Sequence, residues 1–325
     1  MRRTSTIDTS SPEGLLADAV VDARARDLVT AADGTAHVVG RAHVEARVAR
    51  VSHELLEITS DPEVPALARL VGTTVGPGFR ARAVTIGGDE HARRTPLNLL
   101  LDDLPGASLV SGYALLRGDL QGPSADSGAP EGARRYLEAK SDMCAGWASD
   151  ATIMVTIRAR GVSPTPLGPP APTIERGDDA EAWHRMEALT PLAMRRRRRV
   201  DVTAPAAAGA PVEVEAFFRD SHVDDEGVET VVHEYTVTAT VDPISMTVLD
   251  ASAALGVLPW MECPGALASA GRVAGMALTE LRRDIRETFV GTSTCTHLND
   301  TLRGLEDVAA LIEHLPGHVG LVASR

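Results

Sequence analysis

The sequence predicts an α+β protein made of two tandem copies of one small unit, and three observations support this prediction. Residues 1–48 match residues 194–241 at an offset of 193 without gaps, so that Arg26-Asp27 falls on Arg219-Asp220. In each copy, segments that alternate apolar and polar residues come first, as β-strands do. Segments with helical spacing follow them. We therefore expect each copy to be an antiparallel β-meander with helices packed on one face, the two copies being related by a pseudo-two-fold axis.

The elements are clearest in the second copy. Three strands and then three helices are predicted there, over residues 212–222, 229–242, 245–259, 264–275, 277–289 and 296–315. The last helix ends before Pro316-Gly317, which cannot continue it. The match with the first copy resumes at an offset of 201, where residues 95–104 lie on residues 296–305.

Three regions follow from this alignment: a first copy over residues 1–117, a linker over 118–193 and a second copy over 194–325. The linker is rich in proline and glycine, which predicts a flexible stretch at 121–132 and an extended one after residue 160. Between these stretches, residues 134–161 are interpreted as a short helix followed by a short strand.

Composition excludes several classes of protein. The net charge of −13 argues against nucleic acid as the main partner. No apolar run approaches the length of a membrane helix and the first residues lack a signal-peptide core, so we expect a cytoplasmic protein without a membrane partner. Three cysteines cannot form a complete disulfide set and are expected to be reduced or to bind metal. The oligomeric state stays open.

The residues that carry chemistry belong to the second copy alone. In the first copy their positions hold other residue types: Val29 for His222, Gly40 for His233, Arg94 for Cys295 and Pro96 for His297. Cys263 also has no cysteine counterpart. The sequence therefore predicts one equipped site per chain, in the second copy.

Strand periodicity brings two of these residues together. If the strands over 212–222 and 229–242 pair across a turn at 225–228, their apolar faces match in register and Asp220 lies opposite His233. The same register places Phe218 opposite Tyr235. A carboxylate beside an imidazole can fix its tautomer and raise its basicity, so the pair is a candidate general base. The alternative is a structural pair that ties the strands together.

The metal hypothesis rests on the cysteines. Cys295 lies where the last helix begins, a position that stabilises a thiolate, and Cys295 and His297 are close enough in sequence to bind one ion. Cys263 is the candidate third ligand, and His222 or His233 a further one. We expect a divalent ion, zinc or iron. The alternatives are a metal-free thiolate at Cys295 and cysteines that serve only as small buried hydrophobes.

Further features stand near these residues in sequence. Aromatic residues are concentrated in the second copy, which suggests a pocket walled by Tyr235 and Trp260 or, equally, core filling. The run Arg195–Arg199 is interpreted as a solvated strand face or an anion contact. His184, in the linker, is a weaker candidate that could fold back on the site.

The motif Thr294-Cys295-Thr296-His297-Leu298, with Arg219-Asp220 and Cys263, resembles the hallmark of the bacterial domain-of-unknown-function 2889 family. That hallmark is a late Cys-Thr-His-Leu at the start of a helix, often preceded by glycine. The resemblance covers about residues 194–315 and reaches the first copy only through the repeat, which implies a tandem duplication with a degenerate first copy. It implies no reaction. A looser likeness in element order links the chain to iron–sulfur scaffold proteins.

These observations predict an enzyme that acts on a small organic substrate by metal-assisted hydrolysis or lyase chemistry. Its catalytic candidates are Asp220, His222, His233 and Tyr235, and its metal ligands are Cys263, Cys295 and His297. The alternative is a scaffold protein that holds a metal, a cluster or a ligand without turnover. A measurement of bound metal distinguishes the hypothesis of a metal site from the metal-free hypotheses.

Overall fold

The computed structural model describes residues 1–117, 135, 137–161, 163–175, 177–205, 207 and 209–315. Its strands are β1 (Arg2–Ser10), β2 (Ala19–Thr30), β3 (Ala36–Val48), β4 (Leu55–Asp61), β5 (Met194–Thr203), β6 (Val212–Val223), β7 (Glu229–Asp242) and β8 (Thr247–Leu255). They form one antiparallel sheet in the order β4-β3-β2-β1-β5-β6-β7-β8. The α+β class is confirmed, and the two meanders share a single sheet through the pairing of β1 with β5.

The two meanders agree in detail. Strands β2 and β6 have the same length, and each shows an irregularity at the same point when compared at the offset of 193, after Asp27 and after Asp220. The pairing of β1 with β5 is also symmetric, because Ser5 pairs with Arg198, the residue 193 positions later. This register is the one that a local two-fold relation requires. The shared origin of the halves and the pseudo-two-fold axis stay predictions.

The helices lie on one face of the sheet. They are α1 (Phe79–Ile86), α2 (Gly88–Ala92), α3 (Pro96–Arg117), α4 (Thr152–Arg160), α5 (Leu281–Thr288), α6 (Thr296–Gly304) and α7 (Val308–Ile312), with 3-10 turns at Pro65–Leu70, Ala145–Trp147, Cys263–Val273, Leu278–Glu280 and Leu305–Asp307. Each half has its own core, in which alternate strand residues such as Val21 and Val214 pack against helix leucines such as Leu100 and Leu298.

Helix α3 has the length and apolar composition of a membrane helix. Within the described residues, it is the one helix long and apolar enough by composition to cross a membrane, but 67% of its apolar window is buried in this fold. Leu97, Leu100 and Leu104 pack against the sheet of the first half. Its apolar character is accounted for by this core contact.

Two predicted elements were wrong in type or extent. The expected strand before Gly161 is helix α4, because Ile153, Met154 and Ile157 share a helical face and form a small core near Trp260. The expected single helix over 296–315 is divided into α6, a 3-10 turn and α7. The flexible stretch predicted at 121–132 and the residues after 315 lie outside the described residues.

The other face of the sheet is crossed by an extended segment, here called the strap (the described residues of 163–193). Its backbone pairs with the first residues of β7, which extend beyond the end of β8: the Val231 amide donates to the Pro169 carbonyl at 3.0 Å and the Ala171 amide donates to the Glu229 carbonyl at 2.8 Å. Further along, Trp183 meets Phe217 edge to face. The linker is therefore a third layer over the central strands.

His184 belongs to this layer and not to the candidate site. Its ring nitrogens lie 2.9 and 3.0 Å from the hydroxyls of Thr4 and Thr6, on the face opposite the helices. The idea that His184 folds back on the Cys/His residues is thus corrected. Burial lowers the pKa of His184 to about 4, and the charges of Arg26 and Arg195 act in the same direction.

Acid should therefore destabilise the fold through this residue. The unfolded chain binds the proton with the ordinary pKa of about 6.5, so the stability held by the neutral ring is complete above that pH and is lost as the pH falls toward 4. We expect up to about 3 kcal/mol of loss over this window. The His184→Gln variant should lose less, as measured by urea unfolding between pH 7 and 4. Equal slopes for both proteins would contradict the prediction.

The run Arg195–Arg199 was interpreted as a solvated face or an anion contact, and the solvated reading is wrong. All five residues are at most 6% exposed, because the central strands are covered on both faces. Arg196 and Arg198 face the helices and bind Asp103. The three others face the strap side, where their carboxylate partners are Asp8, Glu229 and Glu215.

Candidate functional site

The predicted register of Asp220 and His233 is confirmed. The two residues pair across β6 and β7, as do Phe218 and Tyr235. Oδ2 of Asp220 lies 3.3 Å from Nδ1 of His233, and this nitrogen has no well-aligned hydrogen-bond partner within the described structure although it is buried. A buried imidazole nitrogen whose nearest acceptor is poorly aligned is a natural position for a ligand.

Asp220 is held from its other side by Arg196, which the sequence analysis did not include. The guanidinium forms a fork, with Nε to Oδ1 at 2.8 Å and Nη2 to Oδ2 at 3.1 Å. Burial alone would raise the pKa of Asp220, but the charge of Arg196 outweighs it and holds the pKa well below its usual range. Asp220 is therefore a fixed carboxylate. The sequence did carry a signal for this contact. Arg3 and Asp27 of the first half lie 193 positions before Arg196 and Asp220 of the second half, so the same arginine and aspartate occur in both halves.

His297 reaches the pair from the helix layer. It is the second residue of α6, and its ring stacks on that of His233 with the ring centroids 3.5 Å apart and the planes 21° apart. Burial lowers the pKa of His297 well below its ordinary value, and the neighbouring His233 lowers it further. Both observations favour a neutral ring, which can bind a metal or accept a proton.

Asp220, His233 and His297 offer ligand atoms that all lie within 4.8 Å of one another. Over the part of the chain that the structure describes, this is the one such group of three or more His, Cys, Asp or Glu residues. From sequence, Asp220 and His233 were candidates for a general base, and His297 was a candidate metal ligand with the cysteines. The structure brings them into one cluster, here called the His/Asp cluster, and Cys263 and Cys295 are not members of it.

The cysteines lie next to the cluster. Cys295 precedes α6 as predicted, and its Sγ lies 4.0 Å from Nδ1 of His297 and accepts a hydrogen bond from the Tyr235 hydroxyl at 3.3 Å. Burial raises the pKa of Cys295, so the thiolate expected from the helix N-terminus is disfavoured. Burial likewise raises the pKa of Cys263 to about 12.

Cys144 also belongs to this neighbourhood, which the sequence left open. The Ala145 amide donates to the Thr294 carbonyl at 2.9 Å, and a Cβ added at Gly146 would lie 2.9 Å from Sγ of Cys263. All three cysteines are buried and free. The linker therefore packs its cysteine against the two cysteine-bearing segments of the second half.

The remaining candidates have other surroundings. His222 is 1% exposed and meets Tyr113 edge to face at 5.4 Å, and neither of its ring nitrogens has a partner among the described residues. Tyr235 is a core residue with no exposure, and Trp260 packs against the small core beside α4. The pocket wall predicted from these two aromatics is occupied by the core, the second reading that the sequence allowed.

The first half has the same arrangement without the imidazoles. A Cβ added at Gly40 would lie 3.3 Å from Cγ of Pro96 and 3.4 Å from Oδ2 of Asp27, so these three residues meet as the His/Asp cluster does. Arg3 forks onto Asp27 with both bonds at 2.6 Å, as Arg196 does onto Asp220. The Arg–Asp fork is thus common to both halves, and the two histidines are what distinguishes the second.

The fold and the site together define an α+β protein with one buried His/Asp cluster in its second meander. Residues 194–311 match the sequence model of the DUF2889 family, which is described as a protein of unknown function. This match confirms the resemblance expected from the Cys-Thr-His-Leu motif over the second half. No curated protein and no solved structure matches the chain.

Proposed function

We propose that the second half binds a divalent metal ion, zinc or iron, through Asp220, His233 and His297, and uses it on a small organic substrate by hydrolysis or lyase chemistry. The observation that carries the proposal is the position of three ligand atoms within 4.8 Å, where the first half has Asp27, Gly40 and Pro96. Two imidazoles and one carboxylate are a ligand set that leaves coordination positions open for a substrate or a water molecule.

The chemistry of the ligands supports this assignment. A metal binds neutral imidazole and ionised carboxylate, which are the forms that burial of His297 and the charge of Arg196 on Asp220 favour. Because nitrogen lone pairs lie in the ring plane, the stacked rings of His233 and His297 must turn toward each other to share one ion. A bound ion would polarise a carbonyl or lower the pKa of a water molecule.

A second candidate function is a metal-binding protein without turnover. Two of the three ligand residues are buried, with Asp220 1% and His233 8% exposed, and His297 is partly buried. This burial favours a held ion over a bound organic substrate.

Metal content tests the proposal. Protein purified without chelator is expected to retain about one zinc or iron ion per chain, measured by mass spectrometry of the metals after gel filtration. The Cys295→Ser variant should retain the same content, because Cys295 lies outside the His/Asp cluster. Substoichiometric metal in the parent protein would contradict the proposal. Loss of metal in Cys295→Ser would indicate that the cysteines, and not the His/Asp cluster, bind the ion.

Turnover separates the two functions. The metal-loaded protein and its His297→Ala variant are compared on 4-nitrophenyl acetate and 4-nitrophenyl phosphate as hydrolysis probes. Metal-dependent hydrolysis that the variant loses supports the enzyme. Transfer of the bound ion to an acceptor protein, with no hydrolysis of either probe, supports the metal-binding protein.

A further inference from the structure

The open face of the first half carries a groove of about 490 Å³, a size typical of small-molecule sites. It lies on the face opposite the helices, between β2, β3 and the strap. Its charged and titratable lining residues are Arg24, Arg26, Arg41, Arg185, His43, His184 and Asp61. Four arginines and one carboxylate line this groove in a chain whose net charge is −13.

The strand register brings basic side chains opposite each other in this lining. Arg26 lies directly opposite Arg41, and Arg24 lies opposite His43, at adjacent positions of the same face. Like charges directly opposite each other, as in the pair of Arg26 and Arg41, destabilise a sheet. In the second half, the residue opposite Arg219 is Glu234, and the two form an ion pair at 2.5 Å. The first half thus has an arginine at Arg41 where the second half has a carboxylate.

The neighbouring acids satisfy only part of this charge. Asp22 accepts two bonds from Arg24 at 2.9 Å and lies 3.1 Å from His43, and Glu181 accepts from Arg26 at 2.5 Å. Arg41 makes no hydrogen bond or ion pair within the described part of the chain. Nε of Arg26 is buried and also has no partner there. Donors therefore remain for a ligand.

We propose that this groove binds a small anion that carries carboxylate or phosphate groups, with Arg41 and Arg26 as its main donors. Arginine suits this role because its planar fork matches both anions. The anion would supply the negative charge that Glu234 supplies in the second half. Burial is the main cause of the low pKa of His184, and the charges of Arg26, Arg195 and Arg24 lower it further, as a positive potential at this place would. This site is separate from the His/Asp cluster, which lies on the other face.

Calorimetric titration with citrate and with inorganic phosphate, in buffers matched in ionic strength with sodium chloride, tests the proposal. Binding of either anion above the chloride control is expected, and the stronger of the two identifies the carboxylate or the phosphate class. Arg41→Ala should weaken binding roughly tenfold or more, by loss of a charged donor. Arg69→Ala, at an exposed arginine outside the groove, should leave binding unchanged.

Arg41→Glu separates the binding role from a structural one. It installs the carboxylate that the second half has, so it should abolish anion binding and raise the Tm of the ligand-free protein. Three results would overturn the proposal: no binding of citrate or phosphate to the parent protein, unchanged binding in Arg41→Glu, or equal weakening by Arg69→Ala.

Discussion

Replacing Asp103 with asparagine should destabilise the protein by about 3–5 kcal/mol, the range for removing one partner of a buried ion pair. Asp103 lies on α3, in the first half, and is 4% exposed. It accepts hydrogen bonds from Arg198 at 2.6 and 2.7 Å and from Arg196 at 3.0 Å, both on β5. Burial would raise the pKa of Asp103, but the charges of Arg198 and Arg196 lower it below its usual value. The neutral variant removes the carboxylate that pairs with Arg198, which then has only neutral acceptors, the asparagine amide oxygen and the carbonyl of Asp300.

Urea unfolding at pH 7, followed by tryptophan fluorescence and circular dichroism, measures this loss. The matched control is Asp89→Asn, an exposed carboxylate on α2, which should change stability by less than about 0.5 kcal/mol. A loss below about 1 kcal/mol in Asp103→Asn would show that the helix layer of the first half and β5 are joined mainly by other contacts.

The second large effect is expected on metal affinity. His233→Gly gives the second half the residue that the first half has at this position, and His297→Ala removes the ring from α6. Loss of an outer partner of a metal ligand typically weakens binding 10- to 100-fold, so loss of a ligand should weaken it by about 100-fold or more. The first half folds with Gly40 and Pro96 at the matching place, so both variants should keep the native circular dichroism spectrum.

Competition for Zn²⁺ against a chelating dye gives the affinities. The exposed His37→Ala variant is the control for unspecific binding by imidazole and should match the parent protein. If both His233→Gly and His297→Ala keep the parent affinity, the His/Asp cluster is not the metal site. A loss confined to one of the two would remove the other histidine from the ligand set.

Local sequence determined much of this site. The period of two in β6 and β7 fixed the register that places Asp220 opposite His233, because a slip by one residue would expose one apolar face. The predicted turn at 225–228 was one residue too short, because Val223 pairs with Glu229 and the register shifts between Asp220 and Ser221. The comparison of the two halves also located the difference at His233 and His297. The position of Cys295 just before a helix follows from the same local signals.

Tertiary packing determined the rest. The five arginines of β5 look like a solvated face in sequence, because their burial depends on α3 and the strap, which lie far away in the chain. The same holds for α4, whose apolar residues fit a strand or a short helix until Trp260 and the neighbouring segments provide the partner surface. Periodicity carries no information about contacts of this range.

The sequence by itself thus determined the fold class, the strand register of Asp220 and His233, and the half of the protein that carries the cluster histidines His233 and His297. Each of these depends on local periodicity or on the internal repeat. Only the tertiary structure decided that His297 joins Asp220 and His233 in place of the cysteines. It also decided that Arg196 fixes the carboxylate and that the strap brings Glu181 to Arg26 while Arg41 lies opposite Arg26. These choices depend on how the helix layer and the strap are placed over the sheet, which is set by packing between distant segments.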